Sequence, residues 1–144
     1  MMIERVCTVC VGNICRSPLA EGLLAARLPG ASVCSAGVGA LVGEPAEAHA
    51  VDVALAAGFD ISEHRARQLD AAIAESADLI LVMTPGERRW IASRLPQVLG
   101  RTFLFGHWQG GADVPDPYRQ PRSAFEQTLT LLDSLAGDWV ERIG

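Results

Sequence analysis

Lysine is missing from this sequence of 144 residues: all twelve basic residues are arginine. No chemistry needs arginine at so many scattered positions, so the bias reads as mutational and carries no functional message. Acidic residues outnumber basic ones. The net charge of −5 excludes a general nucleic-acid binder, which needs a basic face to displace counterions. It leaves open a small phosphorylated group, because one helix N-terminus and one arginine supply positive potential locally. Aromatics make up only 6%, so aliphatics and alanine must build the core. No apolar run approaches the roughly 20 residues that cross a bilayer, and no membrane insertion is expected. The opening Met1-Met2-Ile3-Glu4-Arg5-Val6-Cys7 lacks the apolar core and cleavage site of a signal peptide.

Cysteine is present but confined to Cys7, Cys10, Cys15 and Cys34, all in the first quarter of the chain. A disulfide framework would join distant parts of a small secreted fold, so the clustering points to a reducing compartment and a cytoplasmic location. Cys7 and Cys10 form one Cys-x-x-Cys unit without a second. His49, His64 and His107 stand at no ligand spacing that would complete a zinc site, so neither a metal nor another cofactor is expected.

What remains suits one compact domain, residues 1–144: 49% of residues are hydrophobic and 20% charged. Short apolar runs alternate with longer helical patterns, the signature of a parallel sheet covered by helices. Val6 to Val11 reads as a buried first strand, whose spacing sends Cys7 and Cys10 to opposite faces. Ser17-Pro18 opens a helix, with serine as cap and proline at the first position, that runs to about Leu28. Ala31 to Ser35 is a second strand, and Pro45 to Gly58 a second helix ended by glycine. Asp70 caps a short helix through about Glu75. Asp78 to Met83 is the most strand-like run, apolar enough to be buried on both faces. Thr84-Pro85-Gly86 starts a helix that ends before Pro96, and Thr102 to Phe105 is a fourth strand. Gly106 to Pro121 is a long glycine- and proline-rich loop, of the kind that usually carries function. Phe125, Leu129, Leu132, Ala136, Trp139 and Ile143 then mark one stripe of a last helix, widened by Leu135 and Val140. The expected fold is three-layer α/β: a four-stranded parallel sheet, helices on both faces, and a functional loop after strand one.

That loop is Cys10-Val11-Gly12-Asn13-Ile14-Cys15-Arg16-Ser17. In open α/β sheets ligands bind at the carboxyl ends of strands. A loop closing onto a helix N-terminus turns several N–H groups into one concavity, suited to a tetrahedral oxyanion. Cys10 at its base lies in positive potential, which favours a nucleophilic thiolate. Arg16 can fold back and grip phosphate oxygens with its planar fork. Ser17 can donate to the leaving thiolate, and Asn13 can hold the loop by side-chain hydrogen bonds. Asp116 lies on the long loop and could protonate a departing phenolate, although aspartate before proline is also a common turn former. Cys7 reads as a small buried hydrophobe.

Cys-Val-Gly-Asn-Ile-Cys-Arg-Ser-Pro resembles the phosphate-binding loop of low-molecular-weight protein tyrosine phosphatases. Ser35-Ala36-Gly37, His64-Arg65-Ala66-Arg67-Gln68 and Asp116-Pro117-Tyr118 resemble three further segments of that family, in family order. The resemblance implies a metal-free phosphotyrosine phosphatase with a phosphocysteine intermediate, Cys10 as nucleophile, Arg16 as phosphate clamp and Asp116 as general acid. It implies supporting roles for Ser35 and His64, the latter bonding towards Asn13 and Ser35. Leu41 stands where many relatives carry an aromatic cleft wall. Tyr118 is either a second wall or a packed loop residue, and Cys15 either fills the loop or traps an oxidised Cys10 as a disulfide. Gly39 to Gly43, Phe105 to Trp108 and Pro115 to Arg119 are similar to the bacterial branch acting on tyrosine autokinases of capsule and exopolysaccharide export, which would be the partner.

Three other readings compete. Thioredoxin-linked arsenate reductases use the same loop but need later cysteines, and none follows Cys34. Protein-arginine phosphatases tend to carry threonine where Ile14 stands. A silent phosphopeptide-binding module would not need Cys10, Arg16 and Asp116 together.

Overall fold

The computed structural model describes residues 2–144. Four parallel strands, β1 (Arg5–Cys10), β2 (Ser32–Gly37), β3 (Leu79–Val82) and β4 (Thr102–Leu104), pair in the order β2-β1-β3-β4. The register sets Cys7 beside Cys34 and Ile80, and Cys10 beside Gly37. Strands β1 and β3 are buried on both faces, as a parallel sheet between two helical layers requires, with Thr8 the one polar side chain among their buried positions. Period-2 alternation then divides the core. Val6, Cys10, Leu79 and Leu81 pack with helices α1 (Arg16–Arg27), α2 (Ala48–Ala56) and α5 (Arg122–Ile143). Cys7, Val9, Ile80 and Val82 pack with α3 (Ala71–Ser76) and α4 (Pro85–Arg94) on the other face. Helices cover both faces, as expected, and Cys7 and Cys10 lie in separate cores.

The chain leaves β1 towards β2 and later crosses back to β3 on the opposite side of β1. The direction of winding therefore reverses at the carboxyl end of β1, which opens a crevice there. Cys10 is the last residue of that strand.

Local chemistry explains most boundaries and several differences from the sequence pattern. Asp70 caps α3 as expected, its carboxylate accepting from the Ile73 N–H at 2.8 Å. Thr84 and Glu87 form a capping box at α4. Helix α1, however, starts at Arg16 rather than being capped by Ser17. The Ser17 hydroxyl is engaged by Cys10 and Asn13 instead. Helix α2 starts at Ala48, not Pro45, because Pro45 bridges to Arg65 and the Glu47 side chain accepts from the His49 N–H. Strand β2 extends two residues further than the apolar pattern, to Gly37. Two 3₁₀ turns, Pro96–Arg101 and His107–Gln109, carry no clear periodic signal. On α5 the most buried positions are Phe125, Thr128, Leu132, Leu135, Ala136 and Trp139, with Leu129 and Ile143 at the margin of the stripe. Trp139 anchors the helix to the end of β4 by donating to the Phe105 carbonyl at 2.8 Å.

Candidate active site

The loop from Cys10 to Ser17 is shaped from outside. Five successive carbonyls, Cys10 to Ile14, are each taken by a donor on its outer side. Val38, Gly39, Leu41 and Glu47 donate backbone N–H groups to Cys10, Val11, Gly12 and Ile14 at 2.9–3.1 Å. His64 Nε2 donates to the Asn13 carbonyl at 2.6 Å. All these peptides are trans, and in a trans peptide N–H and C=O point opposite ways. The N–H groups of Val11, Gly12, Asn13, Ile14 and Cys15 therefore turn to the inner side, around the Cys10 sulfur. The result is a nest of partial positive charge that continues into the N-terminus of α1.

Two backbone features allow this curvature. Asn13 adopts φ 59°, a left-handed conformation that asparagine tolerates better than other residues with a Cβ. Its buried amide is fully used: Nδ2 donates to Ser17 Oγ at 2.8 Å and Ser35 Oγ at 3.0 Å, and Oδ1 accepts from the Arg67 N–H at 2.9 Å. Gly37 is a close-approach glycine. A Cβ there would overlap the Val11 carbonyl oxygen and press on Asn13. Behind the loop, Ser35 Oγ donates to Glu21 Oε1 at 2.6 Å and Arg67 Nε to the Ser35 carbonyl at 3.0 Å. Ser35 thus reaches Asn13 and Glu21, while His64 reaches the Asn13 carbonyl as expected but makes no bond to Ser35.

Cys10 is buried, with its Sγ 2.9 Å from Ser17 Oγ. Burial pushes the Cys15 thiol well above its usual range, and neighbouring Asp116 and Cys10 add to the effect. Arg16 is buried as well. It donates from Nη1 to the Val114 carbonyl at 3.1 Å, and its Nη2 lies 3.6 Å from Asp116 Oδ2. Asp116 differs in kind: its side chain is 48% exposed, and its Oδ1 accepts from the Tyr118 N–H at 3.0 Å. Cys10, Arg16, Asp116, Leu41 and Tyr118 line one cleft of about 200 Å³, with Val11, Gly12, Ile14 and Cys15 along its floor and sides. Among the described residues no His, Cys, Asp or Glu cluster has metal-ligand geometry.

A family model described as "Low molecular weight phosphotyrosine protein phosphatase" matches residues 5–144. The chain belongs to that family. Its similarity to the Ralstonia nicotianae protein named "Probable low molecular weight protein-tyrosine-phosphatase EpsP" is 48% identity over 142 residues, covering 99% of this chain and 97% of the other. Among solved structures, Vibrio vulnificus Wzb in complex with benzylphosphonate superposes at TM-score 0.95 with 41% identity, covering 97% and 99% of the two chains. YwlE arginine phosphatase, from Bacillus subtilis, also superposes at 0.92 with 29% identity, covering 97% and 95%. The phosphatase fold is thus shared by proteins named for different phosphoamino acids, and it is the site that must distinguish them.

In this low-molecular-weight phosphatase, every cleft residue singled out from the sequence lines the same cavity. Asn13, Ser17, Ser35 and His64 lie beneath or behind it. Sequence reasoning missed Glu21, Gly37 and the backbone of Val114. Glu21 was within reach: Asn13, Ser17 and Glu21 recur every four residues, so they share a face as the loop enters α1. The Val114 carbonyl had no signal, because any residue supplies one.

Proposed function

We propose that the protein hydrolyses phosphotyrosine in a protein substrate through a phosphocysteine on Cys10. The observation that carries this reading is that the five loop carbonyls are all taken from outside, which leaves their peptide N–H groups to face Cys10, while Arg16 and Asp116 line the same cleft as its sulfur. The Cys10 thiolate attacks phosphorus, the S–P bond forms, and the bond to the tyrosine oxygen breaks in line. Protonated Asp116 delivers its proton to the departing phenolate. Water then attacks the phosphocysteine while Asp116 accepts its proton, and Cys10 leaves as a thiolate stabilised by the Ser17 hydroxyl. The N–H groups and Arg16 carry the equatorial phosphoryl charge, the task metal ions perform in other phosphoryl-transfer sites.

Leu41 and Tyr118 flank the cleft, and both are partly exposed. We assign them the walls along the phosphotyrosine ring, in keeping with the benzylphosphonate bound by Vibrio Wzb, whose phenyl ring stands one CH2 from phosphorus. The relatives EpsP and Wzb are named as protein-tyrosine-phosphatases. The resemblance of Gly39 to Gly43, Phe105 to Trp108 and Pro115 to Arg119 to the bacterial branch makes a tyrosine autokinase of exopolysaccharide or capsule export, dephosphorylated on its cytoplasmic side, the substrate we assign. No helix among the described residues is long and apolar enough to cross a membrane. Ile14 on the cleft wall favours the tyrosine reading over phosphoarginine.

The test uses purified protein on matched phosphotyrosine, phosphoserine and phosphoarginine peptides, with and without a chelator. Rapid hydrolysis of phosphotyrosine alone, insensitive to EDTA, with ³²P trapped on Cys10 after acid quench, is expected. Preference for phosphoarginine, or no trapped phosphocysteine, contradicts it.

A further inference from the structure

The acid-bearing loop ends in a tight turn. The Pro117 carbonyl accepts from the Gln120 N–H at 2.9 Å, so Arg119 is the third residue of a four-residue turn. Its φ is 65°. A positive φ at that position is the type II pattern, which glycine or asparagine normally fills. Besides Asn13, Arg119 is the only described non-glycine residue with positive φ. A long side chain kept in a disfavoured conformation beside a reactive centre invites a functional reason.

The position of the guanidinium supplies one. Its Cζ lies 5.3 Å from the centroid of the Tyr118 ring, and Tyr118 lines the cleft. At that distance the contact is a cation–π one, which draws on the charge of the guanidinium and leaves its N–H donors free. Arg16, Arg27 and Arg122 have carboxylate partners within 4 Å, whereas Arg119 has none among the described residues. Arg119 is exposed and lies next to Tyr118 of the cleft lining, so those donors are open to solvent in a protein of net charge −5.

We infer that Arg119 is a specificity residue, pairing its guanidinium, placed over Tyr118, with an acidic side chain adjacent to the phosphotyrosine of the substrate. The inference rests on the phosphotyrosine reading above and narrows it to sites in acidic sequence. A guanidinium kept near an aromatic ring loses less freedom when a carboxylate arrives, and its planar fork suits a two-point hydrogen-bonded pair.

The experiment compares two phosphotyrosine peptides that differ only in Glu or Gln on either side of the modified residue. For the wild-type protein, kcat/KM is expected to be about threefold to fivefold higher for the Glu peptide, the scale of a rim ion pair. The gain should sit in KM, because the pair forms equally in ground and transition states. It should shrink as ionic strength rises. Arg119→Asn, a residue at home in left-handed backbone, should bring the ratio to about one without disturbing the turn. Arg119→Lys should keep only part of the preference, and Arg119→Glu should invert it. Equal turnover of both peptides by the wild type overturns the inference while leaving the phosphatase reading intact. So does a ratio that survives in Arg119→Asn. Failure of the wild type to turn over any phosphotyrosine peptide overturns the parent reading, and this inference with it.

Discussion

The two halves of the cleft are built in opposite ways. On the Cys10–Ser17 side, five carbonyls, the Asn13 amide and the Ser17 hydroxyl all have partners, and Asn13, Arg16 and Ser17 are buried. On the Ala112–Pro121 side, Asp116 is half exposed and is aimed by little more than a turn hydrogen bond and a long contact to Arg16. The difference follows from the chemistry asked of each. Phosphoryl charge must meet dipoles already in place, because reorganising them during reaction would raise the barrier. A general acid must exchange protons with solvent each turnover and make room for substrate, which an exposed loop permits. The guanidinium of Arg16 joins the halves through the Val114 carbonyl and Asp116.

Substitutions on each side should therefore fail differently. Cys10→Ser should reduce turnover to background while retaining vanadate binding, measured by steady-state kinetics and calorimetry, because the nest survives without the nucleophile. Arg16→Ala should lower kcat/KM by roughly 10³–10⁵-fold, the scale of an arginine that stabilises phosphoryl transfer, and should weaken phosphate binding too. Asn13→Ala removes two donors and one acceptor from a buried network. It should reduce kcat by about tenfold to a hundredfold, as lost orienting groups do elsewhere, with Tm falling in parallel. Gly37→Ala should destabilise the fold by about 1–3 kcal/mol through overpacking against Val11, read as a Tm drop of roughly 3–10 °C. The smallest effect on turnover belongs to Cys15→Ser, whose consequence is redox. Peroxide should convert Cys10 to a sulfenic acid, and the Cys15 thiol should displace water to form a disulfide that added thiol reverses. Without Cys15, recovery should be incomplete, and mass spectrometry should show over-oxidised Cys10.

The same contrast governs how much the sequence reveals. Strands β1 and β3 were legible because residues buried on both faces leave continuous apolar runs, and α5 because its stripe repeats over six turns. The nucleophile loop was legible because its residues are contiguous and each type is chemically constrained. Asn13 could be read as a holder of the loop, but its partners could not, since Ser35, His64 and Arg67 meet it across separations of 22 to 54 residues. Resemblance could point to Ser35 and His64, but only the fold shows that Ser35 leads to Glu21. Helix starts went astray where a side chain found a better partner than the helix end, as Ser17 did in Cys10 and Asn13. The exposed arginine over Tyr118 left no sequence pattern, because its left-handed backbone belongs to a turn that glycine would have announced.

The central claim is that the preorganised side handles phosphoryl charge and the exposed side handles the leaving proton, and a leaving-group series separates the two directly. The measurement is kcat/KM for wild type, Asp116→Ala and Arg16→Ala across aryl phosphates of graded phenol acidity. A general acid matters most for a poor leaving group, so Asp116→Ala should lose roughly 10²–10⁴-fold on phosphotyrosine peptide. Its loss should shrink steadily as the phenol becomes more acidic. Arg16→Ala should lose a similar factor at every point of the series, because its work is on the transferring phosphoryl group. Parallel losses for both variants across the series would contradict the division of labour. They would also remove Asp116 from the acid role, with Asp113, on the same exposed loop, the next carboxylate to substitute.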